Sequence, residues 1–219
     1  MERIIKELSY PAKTAYQSEE AAKNYDKLRF KSLKGKLLDK KEKKIIKEFL
    51  SYLPQGSLVL DLACGSGRIT EFLLSQGYEV WGIDVSKEML EVAKKKVVSF
   101  GGQAKFCQAE AENLPFEKNF FDSATCIKLF GHTPPEVRIK ILQEIKRVSK
   151  GPIIVAYYIS GPIANIKRKV RRALTGNNAL WFPISKKCLK EEIDSANLHI
   201  IGQKAVLKCL SETLILLLN

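Results

Sequence analysis

Between Leu58 and Ile159 the chain alternates short apolar runs with amphipathic stretches, and this rhythm restricts the fold more than any other feature of the sequence. "SLVLDL" reads as a strand and "RITEFLLSQG" as a helix closed by Gly77. "EVWGIDV" is the next strand, and "SKEMLEVAKKKVVSFG" a helix capped by Ser86 and stopped by Gly101. "AKFCQA" and "FFDSATCIKLF" are strands, and "PPEVRIKILQEIKRVSKG" is a helix opening on prolines. "PIIVAYYI" is apolar on both faces, as a central parallel strand is. Strands and helices alternating at this spacing predict a doubly wound α/β fold with a mostly parallel sheet. Two further strand-like runs, "LHIIGQKAVLKCL" and "ETLILLLN", follow with no crossover helix between them. They must pair antiparallel, which makes seven strands in all.

Ahead of this core, to about Leu53, the pattern is helical. "SEEAAKNYDKLRF" opens on Ser18 and repeats Ala21, Ala22, Tyr25 and Leu28 at helical spacing. "DKKEKKIIKEFLSYL" puts Ile45, Ile46, Phe49, Leu50 and Leu53 on one face, and Pro54 and Gly56 end it. The lysines clustered here (Lys34, Lys36, Lys40, Lys41, Lys43, Lys44 and Lys47), mixed with Asp39 and Glu42, read as the solvated face of this helix.

Composition excludes several classes. At 45% hydrophobic and 28% charged residues the chain is an ordinary globular protein. Its longest apolar run, "IIVAYYI", falls far short of the roughly 18 residues of a membrane span. "MERIIKELSY" carries acids and no apolar core, unlike a secretory signal, so a cytoplasmic location is expected. Five cysteines, with no pair spaced C-x-x-C, argue against a disulfide framework or a zinc site, and no metal is expected. Cys107 and Cys126 fall within strands, where a thiol is a small hydrophobe.

The turn after the first strand carries the chemistry. In "VLDLACGSGRIT", Gly65 and Gly67 lie at the carboxyl end of a parallel strand, where open α/β sheets bind ligands. A dinucleotide fingerprint requires a third glycine, and Thr70 stands there. Asp61, just before the turn, would repel a pyrophosphate and attract an ammonium. Asp84 ends the second strand 17 residues after Gly67, near the spacing of about 20 at which such folds set a carboxylate on ribose hydroxyls. An adenosyl group with an amino-acid tail satisfies both acids, and S-adenosylmethionine (SAM) is such a molecule. Each acid also has a plainer role available, as the cap of the helix that follows it.

With these stretches the chain resembles the class I SAM-dependent methyltransferases, most of all the small-molecule enzymes of ubiquinone and menaquinone biosynthesis. The resemblance is carried by "VLDLACGSGRIT", "WGIDVSKEML", "AEAENLPFEKNFFD" and "ILQEIKRVSKGPIIVAY", which cover most of Leu58 to Ile159. It implies one Rossmann-like domain over residues 1–219. Residues 1–53 would form a helical lid, 57–159 the cofactor-binding core, 160–184 a basic substrate-side insertion, and 185–219 a helix with the antiparallel strands. Asp61 would reach the methionine ammonium, and the backbone of Ala63, Gly65 and Gly67 would line methionine and ribose. Asp84 would take the ribose hydroxyls, Val85 would pack on adenine, and Glu110 and the Ala111 amide would meet the ring edge. Glu112 competes with Glu110 for that place. The Ile127 carbonyl would face the amine, and Tyr25 matches the family's lid tyrosine. The family pattern has glycine where Ala63 stands, an exchange that a negative φ would allow.

For the acceptor, His132 in "KLFGHTPPE" is the candidate general base or hydrogen-bond donor, against packing or capping in its loop. The run "PIANIKRKVRRALTGNNALWFP" sets Lys167, Arg168, Lys169, Arg171 and Arg172 around an apolar stripe with no acid between them. It suits an anionic surface, RNA or membrane lipid, in a chain of net charge +13, or else a packed lid helix with a solvated face. The function expected is methyl transfer to a small-molecule acceptor. An RNA methyltransferase is the alternative, though "IKLF" replaces any N-P-P-Y tetrapeptide after the fourth strand. A non-catalytic SAM-binding regulator is another. An NAD-dependent dehydrogenase is disfavoured by Asp61 and Thr70.

Overall fold

The structure, a computed structural model, describes Glu20, Ala22 and residues 31–160, 182–207 and 212–219. Tyr25, the helix opening at Ser18, and Lys167, Arg168, Lys169, Arg171 and Arg172 lie outside the described residues.

The described order is α1 (Leu33–Phe49), β1 (Leu58–Leu62), α2 (Arg68–Ser75), β2 (Glu79–Asp84), α3 (Lys87–Lys96), β3 (Ala104–Gln108), β4 (Ser123–Cys126), α4 (Pro135–Val148), β5 (Ile153–Tyr158), α5 (Lys186–Ser195), β6 (Ile200–Ala205) and β7 (Thr213–Leu218). Local chemistry explains the boundaries. Ser32, Ser86 and Ser185 each accept a backbone N–H from the first turn of α1, α3 and α5. Gly77, at φ +87, turns the chain out of α2.

The seven strands form one sheet in the order β3-β2-β1-β4-β5-β7-β6. Strands β1 to β5 pair parallel, and β7 pairs antiparallel with both β5 and β6. The antiparallel pair is thus present, but β7 inserts between β5 and β6, so β5 is parallel on one side only. Alternate residues feed two cores. Leu60, Leu62, Ile153, Val155 and Tyr157 face a core with Ile141 and Ile145 of α4 and Ile193 of α5. Val59, Ile154 and Ala156 face a second core with Ile46 and Phe49 of α1 and Leu73 of α2.

Two elements are shorter than their sequence patterns. β4 spans four residues, because only Ser123–Cys126 face β1 and β5, and the chain then leaves the sheet for a 3-10 turn at Phe130–His132. α3 ends at Lys96 and gives way to 3-10 turns, with Gly101 at φ +62. The lysines of α1 are largely exposed, as expected of a solvated face. Glu42 departs from that expectation, being 1% exposed. It precedes Ile45, Ile46 and Phe49 by three, four and seven positions, which places it on the buried stripe. No helix among the described residues is long and apolar enough to cross a membrane.

Candidate active site

A cleft lies beyond the carboxyl ends of β1, β2 and β4, where the change of chain direction across the sheet opens a crevice. Eight sequence-nominated residues line it: Asp61, Ala63, Gly65, Asp84, Val85, Glu110, Ala111 and His132. Gly67 and Ile127 do not. A Cβ at Gly67 would meet Ala93 Cβ at 2.9 Å, so this glycine, at φ +76, lets the turn pack against α3. The Ile127 side chain is buried in the core with α1 and α2.

The turn is left-handed at three alternate positions, Ala63 (φ 55), Gly65 (φ 55) and Gly67 (φ 76). The negative φ that would ease an alanine at 63 is thus not met: the same reversal of the chain that calls for glycine at 65 and 67 begins at 63. An L-residue pays about 1–2 kcal/mol for that conformation, against about 0.4–1 kcal/mol by which glycine loosens the unfolded chain. Ala63→Gly should therefore stabilise the fold by about 0.5–1 kcal/mol in a urea titration. A less stable variant would mean that packing of the Ala63 methyl on the core outweighs the strain.

Asp61 is 2% exposed and is held by two hydroxyls. Thr70 Oγ1 donates to Oδ2 at 2.7 Å, and Thr125 Oγ1 donates to Oδ1 at 3.0 Å. Thr70 thus anchors the acid in place of a third glycine, and Thr125 on β4 was not nominated from sequence. A hydroxyl in an apolar strand such as "SATC" is the signal that marks it. Burial pushes the Asp61 carboxyl up to about 6, although both threonines and the Arg68 charge pull the other way.

Asp84 accepts Gly65 N at 2.8 Å through Oδ2 and Ser86 N at 3.0 Å through Oδ1. It fastens the glycine turn to β2 while leaving lone pairs for a ligand. Burial raises its carboxyl above the ordinary range, against the pull of these backbone donors. Of the rival acids, Glu112 is buried and Glu110 exposed, and both reach the cleft.

Two cations also line the cleft, Arg68 and Lys128. Both pair with the buried Glu42 of α1, Arg68 Nη2 at 3.0 Å from its Oε2 and Lys128 Nζ on its Oε1, and Arg68 pairs with Asp39 as well. These pairs join α1, the glycine turn and the segment after β4. None was singled out from sequence, because their partners lie 26, 29 and 86 positions apart.

The cleft fits SAM on its own geometry. A Cβ at Gly65 would meet nothing within 4 Å, so bare backbone faces open space. Two fastened carboxylates offer acceptors for an ammonium and a diol, and Val85, Met89 and Leu129 supply apolar wall. A pyrophosphate would lie against Asp61 with Arg68 and Lys128 already committed to acids.

Residues 59–151 match the family model of a methyltransferase domain. That match covers less than half of the chain, and over those residues the chain is similar to a methyltransferase domain. An uncharacterized protein of Methanocaldococcus jannaschii is 31% identical over 187 residues, covering 85% of this chain and 65% of that protein. A ubiquinone biosynthesis O-methyltransferase of Nitrosomonas europaea is 31% identical over 93 residues, 42% of this chain and 39% of the enzyme. The chain thus spans less than two thirds of the length of these curated relatives. Among solved structures, magnesium protoporphyrin IX methyltransferase from Synechocystis, with bound S-adenosylhomocysteine (SAH), superposes with a TM-score of 0.73 at 17% identity, covering 94% of this chain and 98% of that one. That similarity establishes a shared fold.

Proposed function

We propose that this chain binds SAM in the cleft and transfers its methyl group to a small-molecule acceptor. One observation carries the proposal: acids scattered from Asp61 to Glu112 converge with Gly65 on a single crevice, with both aspartates fastened in place. The names of the relatives, which concern a quinone and a porphyrin, support a small molecule as acceptor.

When bound, SAM supplies an electrophilic methyl on a sulfonium, a leaving group that needs no acid. The chain then has to position and to exclude water. Asp61 holds the ammonium, and its own geometry is set by Thr70 and Thr125. Asp84 holds the ribose hydroxyls while keeping the turn closed on β2. Val85 and Met89 cover the adenine. His132, on the 3-10 turn after β4, lines the cleft and is the residue that would take the proton of a hydroxyl acceptor.

Calorimetric titration with SAH and with NAD tests the cofactor: heat is expected with SAH only, and binding of NAD alone would sink the proposal. Tritiated-methyl transfer from SAM into extracted metabolite, lipid and tRNA fractions tests the acceptor. Label confined to tRNA would replace the small molecule by RNA.

A further inference from the structure

Arg138, near the start of α4, is 2% exposed and is the largest fully buried side chain among the described residues. Its guanidinium makes two kinds of contact. On one edge Nε donates to Glu192 Oε2 at 2.9 Å and Nη2 pairs with Glu192 Oε1. On the other, Nη1 donates to three backbone carbonyls, those of Thr133 at 2.8 Å, Phe182 at 3.2 Å and Phe130 at 3.4 Å. Tyr157 OH completes the cluster by donating to Glu192 Oε2 at 3.2 Å, and the Phe130 and Tyr157 rings meet edge to face at 4.9 Å.

Stability alone does not explain this arrangement. A buried ion pair is generally no better than apolar residues of the same volume. The three carbonyls belong to loops instead. Phe130 and Thr133 bracket His132, and Phe182 is where the chain rejoins the described fold after the basic run, with Phe182 N donating to Gly131 O at 2.8 Å. One planar fork therefore holds the His132 turn at both ends and ties it to the far end of the 160–184 segment. Glu192 holds the fork in orientation.

We infer that Arg138 is a positioning residue for the acceptor end of the cleft, acting through the backbone of the His132 turn and of Phe182. The assignment of that end to the acceptor rests on the proposed function, while the grip on the turn does not.

The chain has only two histidines, so their ring signals in NMR give a clean test. His199, exposed and next to β6, serves as the control. Arg138→Lys keeps a cation opposite Glu192 but lacks the fork that reaches three carbonyls. It should bind SAH within about twofold of wild type, because the cofactor half of the cleft does not touch Arg138. The His132 ring signals should shift, and those of His199 should not. Glu192→Gln, which leaves the carbonyl contacts in place, should leave His132 unmoved. An unmoved His132 in Arg138→Lys overturns the inference. So does a shift of both histidines together with a loss of SAH binding, which marks a general structural role. So too does a Glu192→Gln variant that moves His132 as far as Arg138→Lys, which assigns the effect to the ion pair. Should Arg138→Lys fail to fold, the double variant Arg138→Met with Glu192→Leu, which removes both charges together, is read by the same criteria. Failure of the wild type to bind SAH would defeat the proposed function and leave the histidine result standing.

Discussion

Asp61→Asn should raise the melting temperature at pH 7 and weaken SAH binding in the same molecule. The Asp61 carboxyl is raised by burial from 3.8 to about 6. A carboxyl raised on folding favours the native state when protonated. Its contribution is full below the unfolded value near 4, and is lost as the pH rises through about 6. At pH 7 the buried charge then costs about 3 kcal/mol, at 1.36 kcal/mol per pH unit. Asparagine removes that charge and keeps an oxygen for one threonine hydroxyl, while the other hydroxyl turns to accept from its amide. A gain of about 1–3 kcal/mol corresponds to roughly 3–10 °C in a domain of this size. At pH 4, where the wild-type carboxyl is protonated, the two melting temperatures should converge. SAH loses the counter-charge to its ammonium and should bind about 10- to 100-fold more weakly. For the same reason wild-type affinity should fall as the pH drops below about 6. Scanning calorimetry at pH 4 and pH 7 with SAH titrations checks every arm, and equal affinity in the two proteins would take Asp61 out of the site.

Asp84→Ala should weaken SAH binding about 100-fold or more. The side chain offers charged acceptors to a pair of hydroxyls, each such bond being worth about 1.5–3 kcal/mol. It also holds Gly65 N and Ser86 N, so its loss frees the turn from β2 as well as the ligand. Asp84→Asn separates these roles: it keeps one acceptor oxygen, and its affinity should fall between the other two. Calorimetric titration reads all three proteins, and an alanine variant with wild-type affinity would assign Asp84 to turn structure alone.

The cleft's legible parts share a physical basis. Gly65, Asp61 and Asp84 stand at strand ends, where the chain must turn and where a doubly wound sheet opens, so order and spacing betray them. Glu110 and Glu112 were not resolved by spacing, since loop positions two apart differ only in which way the chain bends. The backbone region of Ala63 was not legible, because whether an alanine is forced to positive φ depends on where the turn must deliver Gly65 N. The solvated reading of Glu42 missed its place on the apolar stripe, and a buried glutamate is intelligible only once Arg68 and Lys128 are seen around it. Thr125, Arg138 and Glu192 follow the same logic. Each polar group is satisfied by a partner from a distant element, and nothing local announces such a partner.

The sequence by itself determined the alternation of strands and helices, the antiparallel ending, the glycine turn, and the two acids that favour a cationic, ribose-bearing ligand. These are consequences of periodicity and of residue types at element ends, which are local properties. Only the tertiary structure decided that β7 enters between β5 and β6, that Thr70 and Thr125 hold Asp61, that α1 is tied to the cleft through Glu42, and that Arg138 grips the His132 turn. Those depend on which distant residues the sheet brings within hydrogen-bonding distance, and a carboxylate or guanidinium excluded from water must find its partners there.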